Sequence, residues 1–489
     1  MRQRGPMIPD ARQYLLLDVG GQSARAQVRD AHGQLVANAR RGLHTADDGA
    51  GRVSLDAAAV LAATREVIEE VAAAPGVSPG ETLGAALSVQ RGSVVCWDAG
   101  SGEALSPVFS WRDRRGWPEV ERDHPDLAER VRRITALRHS PYGGAGKLRW
   151  SLESLEPVRR AHREGRLAAG PLGSFLLHGL LREKPHAVDD SLAQRTLLWS
   201  WQEYDWSPEL LKAFGIPREI LPTVRSSRAS YGYLDAPFAG VPLTCLVGDQ
   251  NALADLAAPN PDQSLMINAG TGAFMLRPLA QACLASGYQT SFLGRGDNGD
   301  RFALEASIHG AASAFHWLAA QDGEPFEPQR LDGLREARSH PPLFRNAVDG
   351  LGSPWWDPAA EPGFVGDGDG QARLLAVVES IAFLVRLNLE RIEQASAPIH
   401  AVRLSGGLSQ SACFRGLLAD LLGRPVYCLE EVEGSLFGIW CALAGPSLPE
   451  GAWSVTGPES APELQQRYRD WCAIMPPVPE LGVSPLARD

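Results

Sequence analysis

At 489 residues, with 44% apolar and 21% charged side chains, the chain has the make-up of an ordinary globular protein and the length for two to four domains of ~150 residues. Its 47 basic residues are outnumbered by 58 acidic ones, and a net charge of −11 argues against a partner held through nucleic-acid phosphates; a phosphorylated ligand has to be gripped locally, by backbone and metal. No run approaches ~18 uninterrupted apolar residues, which excludes a spanning helix, and the seven cysteines, odd in number and without CxxC or CxxH spacing, read as buried small hydrophobes in a reducing compartment. Met1 to Gln13 is polar, contains no secretory apolar region and is expected to be a flexible extension of a cytoplasmic protein.

In chain order, short β-type runs come first, at Leu15–Val19, Ala24–Arg29 and Leu35–Arg40, with a tight turn at Asp30-Ala31-His32-Gly33. The alanine-rich stretch Leu55–Ala74 carries Val60, Leu61, Val67, Ile68 and Val71 near helical spacing and predicts a helix stopped by Pro75-Gly76. Leu83–Val89 reads as a buried strand ending at Gln90-Arg91-Gly92, and Val94–Trp97 as the next. The pattern of Pro118 to Arg182 is mostly helical, and Trp199–Pro222 predicts a further pair of helices. An apolar strand, Leu243–Val247, runs into Gly248-Asp249-Gln250. Strand character resumes at Leu265, followed by a helix near Ser307–Gln321, loop over Leu331–Gly370, a long helix at Ala372–Gln394, a strand at Ala401–Leu404 and an apolar helix at Phe414–Leu422. Strands alternating with helices in both halves predict an α/β protein of two similar lobes, 14–251 and 252–489, packed closely about a hinge near residue 250. Strand order does not follow from spacing.

Two strand endings half a chain apart point to chemistry. Leu15-Leu16-Leu17-Asp18-Val19 leads into Gly20-Gly21-Gln22-Ser23, and Leu265-Met266-Ile267-Asn268-Ala269 leads into Gly270-Thr271-Gly272-Ala273-Phe274. Glycine permits positive φ and close approach of backbone to a ligand, and successive N–H groups in such a turn form an anion nest. A matching pair suggests two lobes gripping one polyphosphate. Asp18 then reads either as a carboxylate near a metal-bound triphosphate, where Mg²⁺ needs only one or two carboxylates, or as a turn-forming residue. Asp249, at the end of an apolar strand, reads as the base that takes a proton from an attacking hydroxyl, or as a helix N-cap. Ser405-Gly406-Gly407 with Ser411 suits a flat ring or phosphate, or a plain strand–helix connection with a serine cap. Trp111, beside Arg112-Asp113-Arg114-Arg115, stands next to a charge cluster of the kind that forms surface or interdomain ion pairs.

From about Tyr14 to Gly445, these residues in this order resemble the FGGY carbohydrate kinase family of the actin-like ATPase superfamily. The first glycine turn resembles its N-terminal phosphate loop, Val247-Gly248-Asp249-Gln250 its Gly-Asp-Gln box, and Asn268 to Phe274 its second phosphate loop. Gly350-Leu351-Gly352-Ser353-Pro354-Trp355-Trp356-Asp357-Pro358 is similar to a loop of glycerol kinases and near relatives, and Ser405-Gly406-Gly407 with Ala419-Asp420 to the adenosine motif. The resemblance implies two actin-like (ribonuclease H-like) lobes with an interlobe ATP cleft, and ATP-dependent phosphorylation of a sugar or polyol hydroxyl. It implies Asp249 as catalytic base; Arg91, Tyr142, Asp249, Gln250 and Phe274 at the acceptor; and Asp18 with Asp249 at Mg²⁺. It also implies Gly20, Gly21, Ser23, Gly270, Thr271, Gly272, Ala312, Gly406, Gly407 and Ser411 at ATP, and is compatible with a homodimer. Three departures stand out: Gly92 where the family carries a glutamate, Gly21-Gln22 where relatives carry threonines, and Ala312 and His316 near the nucleotide. Gly92 is expected to leave room for a larger acceptor, so that a ketose competes with glycerol or another polyol as substrate. The other class in contention, a non-kinase actin-like regulator, lacks the Gln90-Arg91 and Gly248-Asp249-Gln250 acceptor positions.

Overall fold

Leu15, Leu16, Leu17 and Val19 are all 0% exposed, so the strand Gln13–Val19 has to lie between covered neighbours rather than at an edge. It pairs in parallel with Thr82–Val89, which runs parallel to Pro242–Gly248, and antiparallel with Ser23–Asp30, which turns back into Leu35–Gly42. Arg228–Tyr233 completes a six-stranded sheet. The computed structural model describes residues 12–257, 261–296, 299–323, 328–331, 333–334, 341–431, 433–445 and 451–486.

The second half repeats this plan. Ser264–Ala269 pairs antiparallel with Ala273–Leu279, which pairs antiparallel with Gly299–Ile308, and on its other side Ser264–Ala269 runs parallel to Ala401–Ser405 and then Val426–Leu429. Gln289–Gly296 and Trp453–Thr456 extend this to seven strands. Within each sheet three antiparallel strands are thus followed by two parallel ones, with further antiparallel strands at the edges, the duplicated actin-like arrangement implied by the resemblance. A buried cluster joins the halves: Leu16 and Ala86 of the first sheet pack with Leu253, Leu436, Phe437 and Trp440. The indole Nε1 of Trp440 donates to the Asp30 carbonyl at 3.0 Å. Among the described residues no helix is long and apolar enough to cross a membrane.

Several elements differ from expectation for local reasons. Gln13, assigned to a flexible extension, opens the first strand, because its side chain donates to the Gly76 carbonyl (2.7 Å) and accepts from the Ser78 N–H (3.1 Å); residues 1–11 lie outside the described residues. The first helix is Ala57–Ala72, not Leu55–Ala74: Leu55 belongs to a strand paired with Val108–Phe109, and Asp56 caps the helix through the Ala59 N–H at 2.8 Å. Between Pro118 and Arg182 the helices are interrupted by a strand, Leu167–Pro171, paired with Val94–Asp98 and buried throughout. Trp199–Pro222 is not a helix pair. It forms strands Trp199–Ser200 and Asp205–Trp206, then one helix, Pro208–Phe214, which Gly215 ends in a left-handed turn, and a 3₁₀ turn at Arg218–Ile220. Ser307, expected to open a helix, still belongs to the strand Gly299–Ile308, opposite Phe274, so the following helix starts only at Ala312.

Candidate active site

The register of the three parallel strands builds one side of the site. Asp18 lies opposite Ser88, Ser88 opposite Val247, and Val89 opposite Gly248. Asp18, the Ser88–Arg91 segment and Asp249 therefore emerge abreast at the carboxyl edge of the sheet, where α/β folds collect ligands. Asp18 does not brace its turn. Its Oδ1 is buried without a hydrogen-bond partner, as are Ser88 Oγ and both side-chain polar atoms of Gln90, which is only 2% exposed. Burial pushes the Asp18 carboxyl up to about 6, against the pull of Arg25 at 3.7 Å and of the neighbouring Ser88 hydroxyl, and the negative charge of Asp249 adds to the rise. Asp249 does not cap its helix either: Gly248 holds the N-cap position, and Asp249 Oδ1 accepts from the Gln250 N–H at 2.9 Å. Its carboxyl is raised by burial and lowered again by Arg91, whose Nε stands 3.6 Å away, with a net upward shift.

Unpaired buried polar atoms each cost roughly 1–3 kcal/mol. Their concentration beside two carboxylates, of which Asp249 raises Asp18, fits a hydrated cation. Among the described residues no cluster of three His, Cys, Asp or Glu side chains forms an all-protein metal cage. Magnesium does not need one, since it keeps several waters and takes one or two carboxylates alongside phosphate.

Arg91 is fixed by a residue from the other sheet. Its Nη1 and Nη2 donate to the two carboxylate oxygens of Glu305 at 2.8 and 3.0 Å, and Nη1 also donates to Asn251 Oδ1 at 3.1 Å. Glu305 further accepts from Arg195 at 2.7 Å and from Ser291 Oγ at 2.7 Å. Burial works to raise the Glu305 carboxyl, but Arg195 and Arg91 outweigh it and hold it down at about 2. Glu305, Arg195 and Asn251 were not singled out in the sequence. The signal was there for Glu305 alone, an acid set within the apolar run Phe302-Ala303-Leu304-Glu305-Ala306.

On the acceptor side, Tyr142 is brought next to Arg91 through Gly92. Gly92 takes φ +74°, and a methyl group placed on it would lie 2.7 Å from the Tyr142 carbonyl oxygen and 3.4 Å from Trp111 Cβ. The expectation that Gly92 leaves room for a larger acceptor is therefore overturned, because main chain and Trp111 already fill that space. The Trp111 and Tyr142 rings meet edge-to-face with centroids 5.7 Å apart. Asp113 of the neighbouring charge cluster is wholly buried, accepting from the Val53 N–H at 2.7 Å and from the Arg115 guanidinium at 2.6 Å. Gln250 Oε1 accepts from Asn268 Nδ2 at 3.2 Å, which ties the first sheet's edge to the second. Phe274 lies directly opposite Asn268 in the antiparallel ladder and so on the same face.

The second sheet presents the other wall. Gly270 and Thr271 carbonyls accept from the N–H groups of Ala312 and Ser313, both at 3.0 Å, which fixes the loop to the start of the helix Ala312–Asp322. Gly20, Gly21, Gly270 and Gly272 all lie outside the left-handed region, contrary to the argument from positive φ. At Gly272 the need is steric, as a methyl group would sit 2.9 Å from the Ile308 carbonyl. Gly406 does take a positive φ, +87°, and a methyl there would lie 2.6 Å from the Ala269 carbonyl. It follows Ser405, the register partner of Asn268, so Gly406-Gly407 and the Gly270-Thr271-Gly272 loop stand side by side. In the first loop, Gly20 N–H donates to the Ser23 carbonyl at 3.1 Å, and Thr45 Oγ1 donates to the Gly21 carbonyl at 3.0 Å. The Ser23 hydroxyl faces Arg25 Nε at 3.0 Å, and Ser411 Oγ caps its helix through the Phe414 N–H at 3.3 Å. Asp420 sits farther along that helix, accepting from the Glu459 N–H at 2.6 Å.

Two sheets of one plan, with their loops facing across Gln250 and Asn268, are the architecture of the actin-like nucleotide-binding proteins. Within that class the chain belongs to the FGGY family of carbohydrate kinases: residues 13–251 match the family's N-terminal domain and residues 265–444 its C-terminal domain. It is accordingly a carbohydrate kinase, a phosphotransferase with an alcohol group as acceptor. A glycerol kinase of Geobacter sp. (strain M21) is 31% identical over 479 residues, covering 94% of this chain and 96% of the relative. A glycerol kinase of Ralstonia nicotianae is 33% identical over 447 residues, covering 87% and 88%. The fold is shared with Plasmodium falciparum glycerol kinase in complex with ADP (TM-score 0.82, 19% identity, 94% and 97% coverage). It is shared as well with xylulose kinase from Rhodospirillum rubrum (TM-score 0.80, 21% identity, 95% and 98% coverage).

Proposed function

We propose that the chain transfers the γ-phosphoryl group of ATP to a hydroxyl of a sugar or polyol, with Asp249 as general base. One observation carries this reading most directly: Asp249 emerges at the same carboxyl edge of the sheet as Asp18, half-buried, shifted upward and beside Arg91. A carboxylate in that position accepts the acceptor's proton as its oxygen approaches phosphorus. Arg91, Gln250, Tyr142, Trp111 and Phe274 would hold the acceptor, while the loops at Gly20-Gly21 and Gly270-Thr271-Gly272 receive the phosphates and Gly406-Gly407 the adenine ring. Asp18, with Asp249, would hold Mg²⁺ through its unpartnered Oδ1, and Ser88 and Gln90 would meet the waters. Bound there, Mg²⁺ supplies neutralisation of the phosphate charge. Because the phosphoryl transition state is loose, alignment and charge neutralisation supply most of the rate.

The resemblance to glycerol kinases favours a small polyol, and the filled space at Gly92 points the same way. Six of the seven cysteines are buried, which suits our proposed cytoplasmic setting. The test is ADP release from purified protein over glycerol, erythritol, ribitol, xylulose, ribulose and gluconate. Release that rises with at least one acceptor and disappears in Asp249→Asn is expected. ATP hydrolysis indifferent to every acceptor overturns the proposal.

A further inference from the structure

Lys147, on the helix Gly144–Ser154, is 0% exposed and makes no salt bridge among the described residues. Its ammonium is instead directed at three main-chain carbonyls: Gly92 at 3.0 Å, Trp111 at 3.3 Å and Tyr142 at 3.3 Å. An ammonium has three N–H donors, so these three acceptors use it completely. Each carbonyl comes from a different stretch of chain, and each stretch carries an acceptor-side residue. Gly92 follows Arg91, while Trp111 and Tyr142 are themselves the aromatic pair.

Gly92 closes the same junction from the opposite side. Its missing side chain is what lets the Tyr142 carbonyl approach, and Ser93 Oγ accepts from the Trp111 N–H at 3.0 Å. The Gly92 and Trp111 stretches adjoin the antiparallel pairing of Val94 with Phe109, and the buried cation ties the Tyr142 loop to both. Burial lowers the Lys147 pKa to about 7, against the pull of Asp113, so the ammonium is costly to keep where an apolar side chain of similar length would pack without penalty. That cost needs a return, and among the described residues its hydrogen bonds go to these three carbonyls.

We propose that Lys147 is a positioning residue for the acceptor, holding Arg91, Trp111 and Tyr142 in one arrangement by gathering the carbonyls of Gly92, Trp111 and Tyr142. The proposal rests on the reading of Arg91 and Tyr142 as acceptor-facing, and Tyr142→Ala serves as the reference for that reading. In Lys147→Met the side chain fills the same volume but leaves three carbonyls unpaired. The KM for the best acceptor is expected to rise about tenfold or more, while the KM for ATP stays within about twofold. A second variant, Gly92→Ala, leaves the lysine intact and pushes the junction apart from the other side, and the same acceptor-specific effect is expected.

The acceptor-facing reading fails if Tyr142→Ala leaves the acceptor KM unchanged. The Lys147 inference fails if Tyr142→Ala raises it and Lys147→Met does not, or if both substrates' KM values rise together. If neither Lys147→Met nor Gly92→Ala folds, hydrogen exchange on the unsubstituted enzyme decides. Saturating acceptor is expected to slow exchange at 92–93, 110–112 and 142–143 together, and protection confined to one of these stretches overturns the inference.

Discussion

Glu305 of the second sheet holds Arg91 of the first through two parallel hydrogen bonds, at 2.8 and 3.0 Å, with both side chains almost wholly buried. The pair spans the lobes, and Arg195 shares the same carboxylate. Removing one partner of such a group strands the others in a low-dielectric interior, which typically costs ~3–5 kcal/mol. Glu305→Gln is therefore expected to lower stability by roughly that amount and to raise the acceptor KM by releasing Arg91, as read by denaturant melts and steady-state kinetics. A pH dependence follows. The folded pKa of Glu305, about 2, lies below its ordinary value of 4.5, so its stabilisation is fully present above pH 4.5 and is lost as pH falls towards 2. The stability gap between wild type and Glu305→Gln should narrow across that window, and a gap of constant size would show that the carboxylate's charge is not what matters.

Asp249→Asn keeps the size and much of the hydrogen bonding of the side chain but cannot take a proton. General-base catalysis is worth ~10²–10⁴-fold, and a drop in kcat of at least about a hundredfold is expected with ATP binding retained. Equilibrium titration with ATP and single-turnover ADP release separate the two effects. Turnover within tenfold of wild type would remove Asp249 from the role of base.

Asp249 was legible because its strand is a plain apolar run and the residues after it form a short motif. The same holds for Asp18 and for both glycine turns, where strand, turn and motif are contiguous. Two similar lobes were legible from the alternation of strands and helices and from the family resemblance, but the strand order was not, since a parallel pairing such as Gln13–Val19 with Thr82–Val89 joins residues some 70 positions apart and leaves no local trace. Partners that act across the lobes were lost for the same reason. Nothing near Arg91 in sequence indicates that Glu305 will hold it, and nothing near Tyr142 indicates that its carbonyl will occupy the space beside Gly92. The helix pair expected over Trp199–Pro222 failed in part and differently: Pro208–Phe214 is helical, but Trp199 and Trp206 are cross-strand partners.

The loop proposed to receive adenine makes its own prediction. Gly406 has φ +87° and no space for a methyl group, whereas Gly407 has nothing within 4 Å of where its Cβ would stand. Gly406→Ala is expected to cost about 1–3 kcal/mol in backbone strain, besides displacing the Ala269 carbonyl and with it the phosphate loop, so the KM for ATP should rise. Gly407→Ala should melt within about 0.5 kcal/mol of wild type. Equal destabilisation of the two variants would argue against this difference in packing.

Asp18 supplies the sharpest contrast between stability and activity. Its folded pKa, about 6, lies above the ordinary 3.8, so without metal the folded state holds this proton more tightly than the unfolded chain does. Metal-free stability should therefore fall as pH rises from about 4 to about 6, and stay low above that, by roughly 2–3 kcal/mol at one kcal-scale step per pKa unit. Asp18→Asn carries no such charge and should show a shallower slope, the remainder coming from Asp189 and Asp190, so in EDTA at pH 7 the variant is expected to melt at a higher temperature than wild type. Addition of MgATP should reverse the order, because the stabilisation of wild type by a ligand that binds only the folded state grows with its affinity, and the variant has lost a metal contact. Melting curves at pH 4.5, 5.5, 6.5 and 7.5, with EDTA or with MgATP, read both effects in one experiment. A variant that melts below wild type in EDTA at pH 7 would mean that the buried carboxylate is already satisfied by the protein, and would remove the case for a metal at Asp18.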